Sequence, residues 1–274
     1  MRAYKLFTLI LSISLFFPSD MNLGRNNDPK VPSDISSLNL AYRKAIWSTL
    51  SIPGQRFMSK FLFPKSSISY MNVDNAVALT IDDGFCGIDN PDGCMINEVR
   101  ELFKKYNAKA TFFITGSHCT NVTKSEVLLL LNDGHELANH NMYDYAYDKH
   151  NAEEFSKDLD KTDEIISSFT SVKTKWYRAP HAKLSDTMQL VLEERSLIHV
   201  ISDSFANDTA IPDSEWISEF ILKHVQPGSI IVIHMPERGV REWLYEAMEL
   251  TLIGLKNKNL EVLNLTQLEA LQIN

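Results

Sequence analysis

Positive charge is in short supply. The chain of 274 residues carries 27 Lys and Arg against 35 Asp and Glu, a net charge of -8, which argues against nucleic acid or an anionic membrane surface as the main partner. Long hydrophobic runs are equally scarce. Only Leu6 to Phe17 is apolar enough to suggest membrane contact, and it is too short to span a bilayer comfortably. Cysteine is limited to Cys86, Cys94 and Cys119, and no internal repeat or low-complexity tract organises the chain. These absences leave a globular protein free to act on a neutral substrate.

The composition is ordinary for such a protein, 44% hydrophobic and 23% charged. Arg2 and Lys5 precede the Leu6–Phe17 run and Pro18-Ser19-Asp20 breaks it, the layout of a secretory signal. Phe17 sits where a cleavage site wants a small residue, so residues 1–20 read as a signal peptide or as an uncleaved anchor. The expected location is the secretory pathway or outside the cell, with membrane attachment only through that segment. A disulfide between Cys86 and Cys94 would suit that compartment and pin the loop containing Asp89-Asn90-Pro91-Asp92-Gly93. Cys119 is left over. Sequons at Asn121, Asn207 and Asn264 are near the number chance gives in a chain with this much Asn, Ser and Thr.

Residues 21–75 read as a linker and packing extension, with an amphipathic helix around Leu40 to Leu50 and a basic stretch at Lys60 and Lys65, but no chemical motif. From Ala76 the pattern alternates apolar strands with amphipathic helices, which predicts an α/β domain over 76–271. Strands are expected near 76–84, 110–115, 134–138, 175–179, 197–201, 229–234 and 260–263. Units of that length suggest a parallel sheet curled into a distorted, incomplete (β/α) barrel of about seven strands. In such a barrel the chemistry clusters at the C-terminal strand ends.

The first strand ends in Thr80-Ile81-Asp82-Asp83-Gly84. Adjacent carboxylates resist joint ionisation unless a cation or proton compensates them, although Asp-Asp-Gly alone also reads as a plain strand-ending turn. Further polar residues fall at equivalent positions: His140 and Asp144 after the strand at His135, Arg178 and Pro180 after the next, Asp203 after another, and His234 at the end of Ile230-Ile231-Val232-Ile233. Each alone has a duller explanation. Together they point to one polar site.

Taken in order, Thr80-Ile81-Asp82-Asp83-Gly84, Gly134-His135-Glu136-Leu137-Ala138-Asn139-His140, Arg178-Ala179-Pro180 and Ile231-Val232-Ile233-His234 resemble the motifs of the polysaccharide deacetylase family, also called NodB-homology or family 4 carbohydrate esterases. Ala110-Thr111-Phe112-Phe113 matches that family's usual second strand. The resemblance implies removal of an N-acetyl group from an N-acetylglucosamine-containing, chitin-like sugar with one divalent metal, zinc first and cobalt or manganese as alternatives. It implies Asp82 as general base, Asp83 and His140 as metal ligands, and His234 as the acid for the departing amine. Arg178 would orient Asp82, and the backbone N–H of His181, just after Pro180, would stabilise the carbonyl oxygen.

Three departures qualify it. The second metal histidine of the family falls on Asp144, whose carboxylate keeps the four-residue spacing and binds zinc at nearly the distance of an imidazole, while shifting selectivity toward harder ions. His150 is a further candidate ligand. The family's tyrosine is His181 here. Its Asp-Trp pair is missing: Asp203 is the first choice for the acid that tethers Arg178, with Asp208 as the alternative, and Phe205 would form a hydrophobic wall. Glu237, Arg238 and Arg241 read either as cleft residues or as solvated charges. Two other functions stay open: a sugar-binding protein with crippled chemistry, and a hydrolase of small non-sugar amides.

Overall fold

The computed structural model describes residues 35–64 and 66–272. The expected signal segment, the first part of the 21–75 extension, and Lys65 lie outside the described residues. Two helices come first, α1 (Ser37–Leu50) and α2 (Gln55–Leu62). The alternating part follows with β1 (Ala76–Gly84), α3 (Ile96–Lys105), β2 (Ala110–Ile114), α4 (Lys124–Asn132), β3 (Glu136–Asn139), α5 (Ala152–Phe169) and β4 (Trp176–Tyr177). It continues through α6 (Asp186–Glu194), β5 (Ile198–His199), β6 (Ser204–Phe205), α7 (Ser214–His224), β7 (Ile230–His234), α8 (Trp243–Asn257), β8 (Glu261–Leu263) and α9 (Leu265–Ala270).

The strands form one sheet in the order β5-β4-β3-β2-β1-β7-β6, with β8 pairing the start of β1, and every ladder is parallel. This is the expected incomplete (β/α) barrel. All nine residues of β1 are buried, because helices cover one face and the barrel interior the other. Val77, Leu79 and Ile81 pack outward with Val99, Leu102 and Phe103 of α3 and Leu244, Met248 and Leu252 of α8. Ala76 and Ala78 point inward with Phe113, Ala138, Trp176, Val200 and Ile230. The period of two therefore assigns Thr80 and Asp82 to the interior as well. Leu265 and Leu268 of α9 close the N-terminal mouth of the barrel, and Leu265 donates its N–H to the Thr111 hydroxyl at 2.8 Å.

Local signals explain the helices. Thr123 with Glu126 and Asn151 with Glu154 form capping boxes at the starts of α4 and α5, each worth about 1 kcal/mol. Asn264 does the same for α9 and donates to the Gly134 carbonyl, so its sequon has a structural explanation. A disulfide joins Cys86 and Cys94. Cys119 is a free thiol that burial pushes up to about 12, which makes it inert at neutral pH. No helix of the described residues is long and apolar enough to cross a membrane.

Candidate active site

The site sits at the C-terminal ends of β1, β3, β4 and β7. Alternation along β1 should send Asp82 inward and Asp83 outward. Asp83 instead adopts a left-handed backbone conformation, φ 58°, and the β1–β2 register slips between Ile81 and Gly84. Such a slip re-aims a side chain, and both carboxylates end up facing His140. Its Nε2 lies 4.0 Å from Asp82 Oδ2 and 3.7 Å from Asp83 Oδ1. The other ring nitrogen, Nδ1, donates to the Arg178 carbonyl at 2.8 Å, which fixes the ring with Nε2 toward the acids.

Arg178 follows β4 and is fully desolvated. Its Nη1 donates to Asp82 Oδ1 at 2.5 Å and to the Thr80 hydroxyl at 2.8 Å, while Nε and Nη2 reach the carbonyls of Val200 and Ile201. The guanidinium lies over the Phe113 ring at 4.1 Å. A buried charge with all three nitrogens directed in this way is rigid. Asp82 is therefore held in one orientation.

On the adjacent strand β7, His234 is the register partner of Asp82. Its Nδ1 donates to Asp208 Oδ1 at 2.8 Å, and its backbone N–H donates to Asp208 Oδ2 at 2.8 Å. Burial works to lower the imidazole pKa, but the Asp208 charge and hydrogen bond, aided by Asp83 and Asp82, push it up to about 9. His234 is thus an imidazolium at neutral pH. Phe205 stands beside it with ring centroids 6.2 Å apart.

Asp203 does not reach Arg178. It precedes β6, donates its backbone N–H to the Ile230 carbonyl and accepts the Ile230 N–H on its side-chain Oδ1 at the start of β7, four residues and about 13 Å from His234 along the strand. Its Oδ2 pairs with Arg56 Nε at 2.5 Å and accepts from the Ser229 hydroxyl. This corrects its assignment as the tether of Arg178. Asp208 corrects the alternative too, because its partner is His234.

The remaining residues gather around Asp83. Arg241 Nη1 donates to Asp83 Oδ2 at 2.8 Å. Burial alone would raise the Asp83 carboxyl, but Arg241, with His234, His140 and His118, holds it well below the usual carboxylate range. Asp144 shows the opposite: the neighbouring Asp83 charge and then burial push its pKa up, against His181, His140 and Arg241. Asp144 Oδ1 lies 3.4 Å from His181 Nε2. His181 sits in the turn Pro180–Ala182 with φ 56°. His150 instead stacks on Tyr145 and lies tilted against Tyr147. Arg238 pairs on the surface with Glu98, and Glu237 is buried and accepts from the Gly87 N–H.

In chemistry the Asp83, His140 and Asp144 donors suit a divalent cation, which would relieve the repulsion that raises Asp144. In position only Asp83 and His140 face each other. Among the described residues no three His, Cys, Asp or Glu side chains converge closely enough to hold an ion. Sequence reasoning missed Arg241 as the partner of Asp83 and Asp208 as the partner of His234.

Residues 71–197 match the family model for polysaccharide deacetylase. Over that stretch the chain is similar to the polysaccharide deacetylase family. It is 26% identical over 185 residues to a peptidoglycan-N-acetylglucosamine deacetylase of Bacillus cereus, covering 66% of this chain and 64% of that protein. The chain spans between about a third and two thirds of the length of the curated relatives it matches first. Among solved structures, a family 4 acetyl xylan esterase from Clostridium thermocellum in complex with a cobalt ion superposes with a TM-score of 0.61 at 27% identity, covering 72% of this chain and 91% of that one. A family 4 pseudoenzyme from Bacillus anthracis superposes with a TM-score of 0.64 at 20% identity, covering 76% and 70%. This last likeness shows the polysaccharide deacetylase fold alone.

Proposed function

We propose that the protein hydrolyses the N-acetyl group of an N-acetylglucosamine-containing oligo- or polysaccharide, releasing acetate, with one divalent metal held by Asp83, His140 and Asp144. The observation that carries the reading is a pair at neighbouring strand ends: Asp82, fixed by Arg178, and its register partner His234, which Asp208 keeps protonated. Hydrolysis of an amide needs a base and an acid on either side of the carbonyl carbon. This cleft supplies both.

When bound, the ion would polarise the carbonyl and acidify a water. Asp82 is placed to take a proton from an attacking water as the water oxygen bonds to the carbonyl carbon. Negative charge on the carbonyl oxygen meets the backbone N–H of His181. As the carbon–nitrogen bond breaks, His234 gives its proton to the nitrogen, so that a neutral amine leaves. Arg178 keeps Asp82 aimed throughout. The relatives' action on N-acetylated glycans supports the substrate class, and zinc is the first ion to test, with cobalt and manganese beside it.

A second reading is a sugar-binding protein on the same fold. The unconverged donors around Asp144 and the existence of a pseudoenzyme with this fold favour it. Acetate release from chitopentaose and from peptidoglycan fragments, measured after chelation and with zinc, cobalt or manganese restored separately, separates the two. Metal-restored release supports the deacetylase. Binding of the sugar without release under any ion supports the second reading.

A further inference from the structure

In sequence the segment before β1 offers no chemical motif, yet in the structure five of its side chains grip one stretch of chain. Arg56 pairs with Asp203 at 2.5 Å. The side-chain amide of Gln55 donates from Nε2 to the Phe205 carbonyl at 2.6 Å and accepts the Phe205 N–H on Oε1 at 2.8 Å. Trp47 Nε1 donates to the same carbonyl at 3.2 Å, and its ring meets Phe205 edge-on at 5.6 Å. Arg43 donates to the Ala210 carbonyl at 2.7 Å, and Lys44 pairs with Asp213. Asp208, the partner of His234, lies in the middle of this 203–213 stretch.

Edge geometry explains why such a grip matters. The edge strand β6 is two residues long and paired only with β7. Phe205 turns its N–H and C=O off the open side, where an edge strand has no partner. Gln55 meets both groups as a neighbouring strand would. Beyond Phe205 the chain turns at Asn207 with φ 53° and delivers Asp208, whose carbonyl accepts from Trp243 Nε1 at 3.0 Å on the far side. On the open side of β6, Phe205 is fastened by Gln55 and Trp47.

We propose that the α1–α2 hairpin is a positioning element of the catalytic site, fastening residues 203–213 so that Asp208 keeps its hold on His234. The proposal rests on His234 being the proton donor of the reaction, and it makes Gln55 a positioning residue. The charged groups facing His234 are Asp208, Asp82 and Asp83. The hairpin touches none of them directly and acts through the backbone of Phe205.

The test uses the intact chain and the low-field NMR signal of the His234 Nδ1–H proton, assigned by its loss in His234→Gln. In Gln55→Ala, with circular dichroism and cooperative unfolding retained, that proton exchanges with water about tenfold faster, the scale of losing two hydrogen bonds. On any sugar the wild type hydrolyses, kcat falls by a similar factor while KM stays the same. Leu38→Ala, on the exposed side of α1, leaves signal and rate unchanged. Should Gln55→Ala not fold, Trp47→Phe keeps the ring, removes one N–H and shifts exchange in the same direction by about threefold. Unchanged His234 exchange in either folded variant overturns the proposal. If the wild type hydrolyses no sugar, the functional reading fails, and the exchange measurement still decides the role of the hairpin.

Discussion

Two neighbouring carboxylates, Asp82 and Asp83, end one strand and serve two unlike halves of the cleft. Around Asp82 the groups are locked: Arg178 spreads its donors over Asp82, Thr80 and two carbonyls, and across from it Asp208 takes both N–H groups of His234. Around Asp83 the groups are near one another without closing. His140 stands 3.7 Å away, and Asp144 turns toward His181 with its pKa raised by the Asp83 charge. The half that moves protons is complete from protein alone. The other half carries electrostatic tension of the kind a cation removes.

The largest expected effect breaks the first half without touching the second. Asp82→Asn should lower kcat/KM by about 10²- to 10⁴-fold, the range for removing a general base, while zinc affinity measured by calorimetry stays within about threefold, because Asp83 and His140 remain. Asp83→Ala should remove both activity and zinc binding.

Asp208→Asn sharpens the same comparison through pH. His234 acts as an acid only while protonated, so wild-type rates should fall above about 9. Losing the Asp208 charge returns the imidazole toward its ordinary value near ~6.5. At pH 8 that cuts the protonated fraction by about 30-fold, and the alkaline limb moves down by about 2.5 units in the kcat/KM profile. Stability carries the same sign. A folded pKa raised above the unfolded one stabilises fully below ~6.5, and that contribution is lost as pH rises through about 9. Urea melts across this range should show the decline in the wild type and little of it in Asp208→Asn.

The alternation of buried strands and amphipathic helices was readable because β1, β2 and β7 are long, apolar and covered on both faces. Asp82, Arg178 and His234 were readable because they fall at ends of such strands. What escaped was short or depended on a turn. The two-residue β6 has too little length for a period, and α2 and α9 are brief helices whose packing partners lie far away in sequence. Choosing between Asp203 and Asp208 required knowing that Asp203 precedes β6 at the opposite end of the barrel, while the left-handed Asn207 swings Asp208 under His234. Pattern alone carries no such direction. The inward turn of Asp83 depends likewise on its own left-handed φ.

Smaller effects should follow from improving the unfinished half. Asp144→His supplies a second imidazole and should tighten zinc binding by about tenfold relative to manganese, since imidazole suits zinc and carboxylate suits harder ions. Competition calorimetry with the two ions reads this directly. Smallest of all, Arg238→Ala removes an exposed pair with Glu98 and should change stability by less than about 1 kcal/mol in urea melts with no change in acetate release.

The division of labour at the end of β1 is tested most directly by acetate release from chitopentaose with zinc present, wild type beside Asp82→Asn, on preparations whose zinc content is measured in parallel. The account predicts release by the wild type and a loss of about 100-fold or more in the variant at equal zinc content. Equal release by both proteins, or no release by the zinc-loaded wild type, would contradict it.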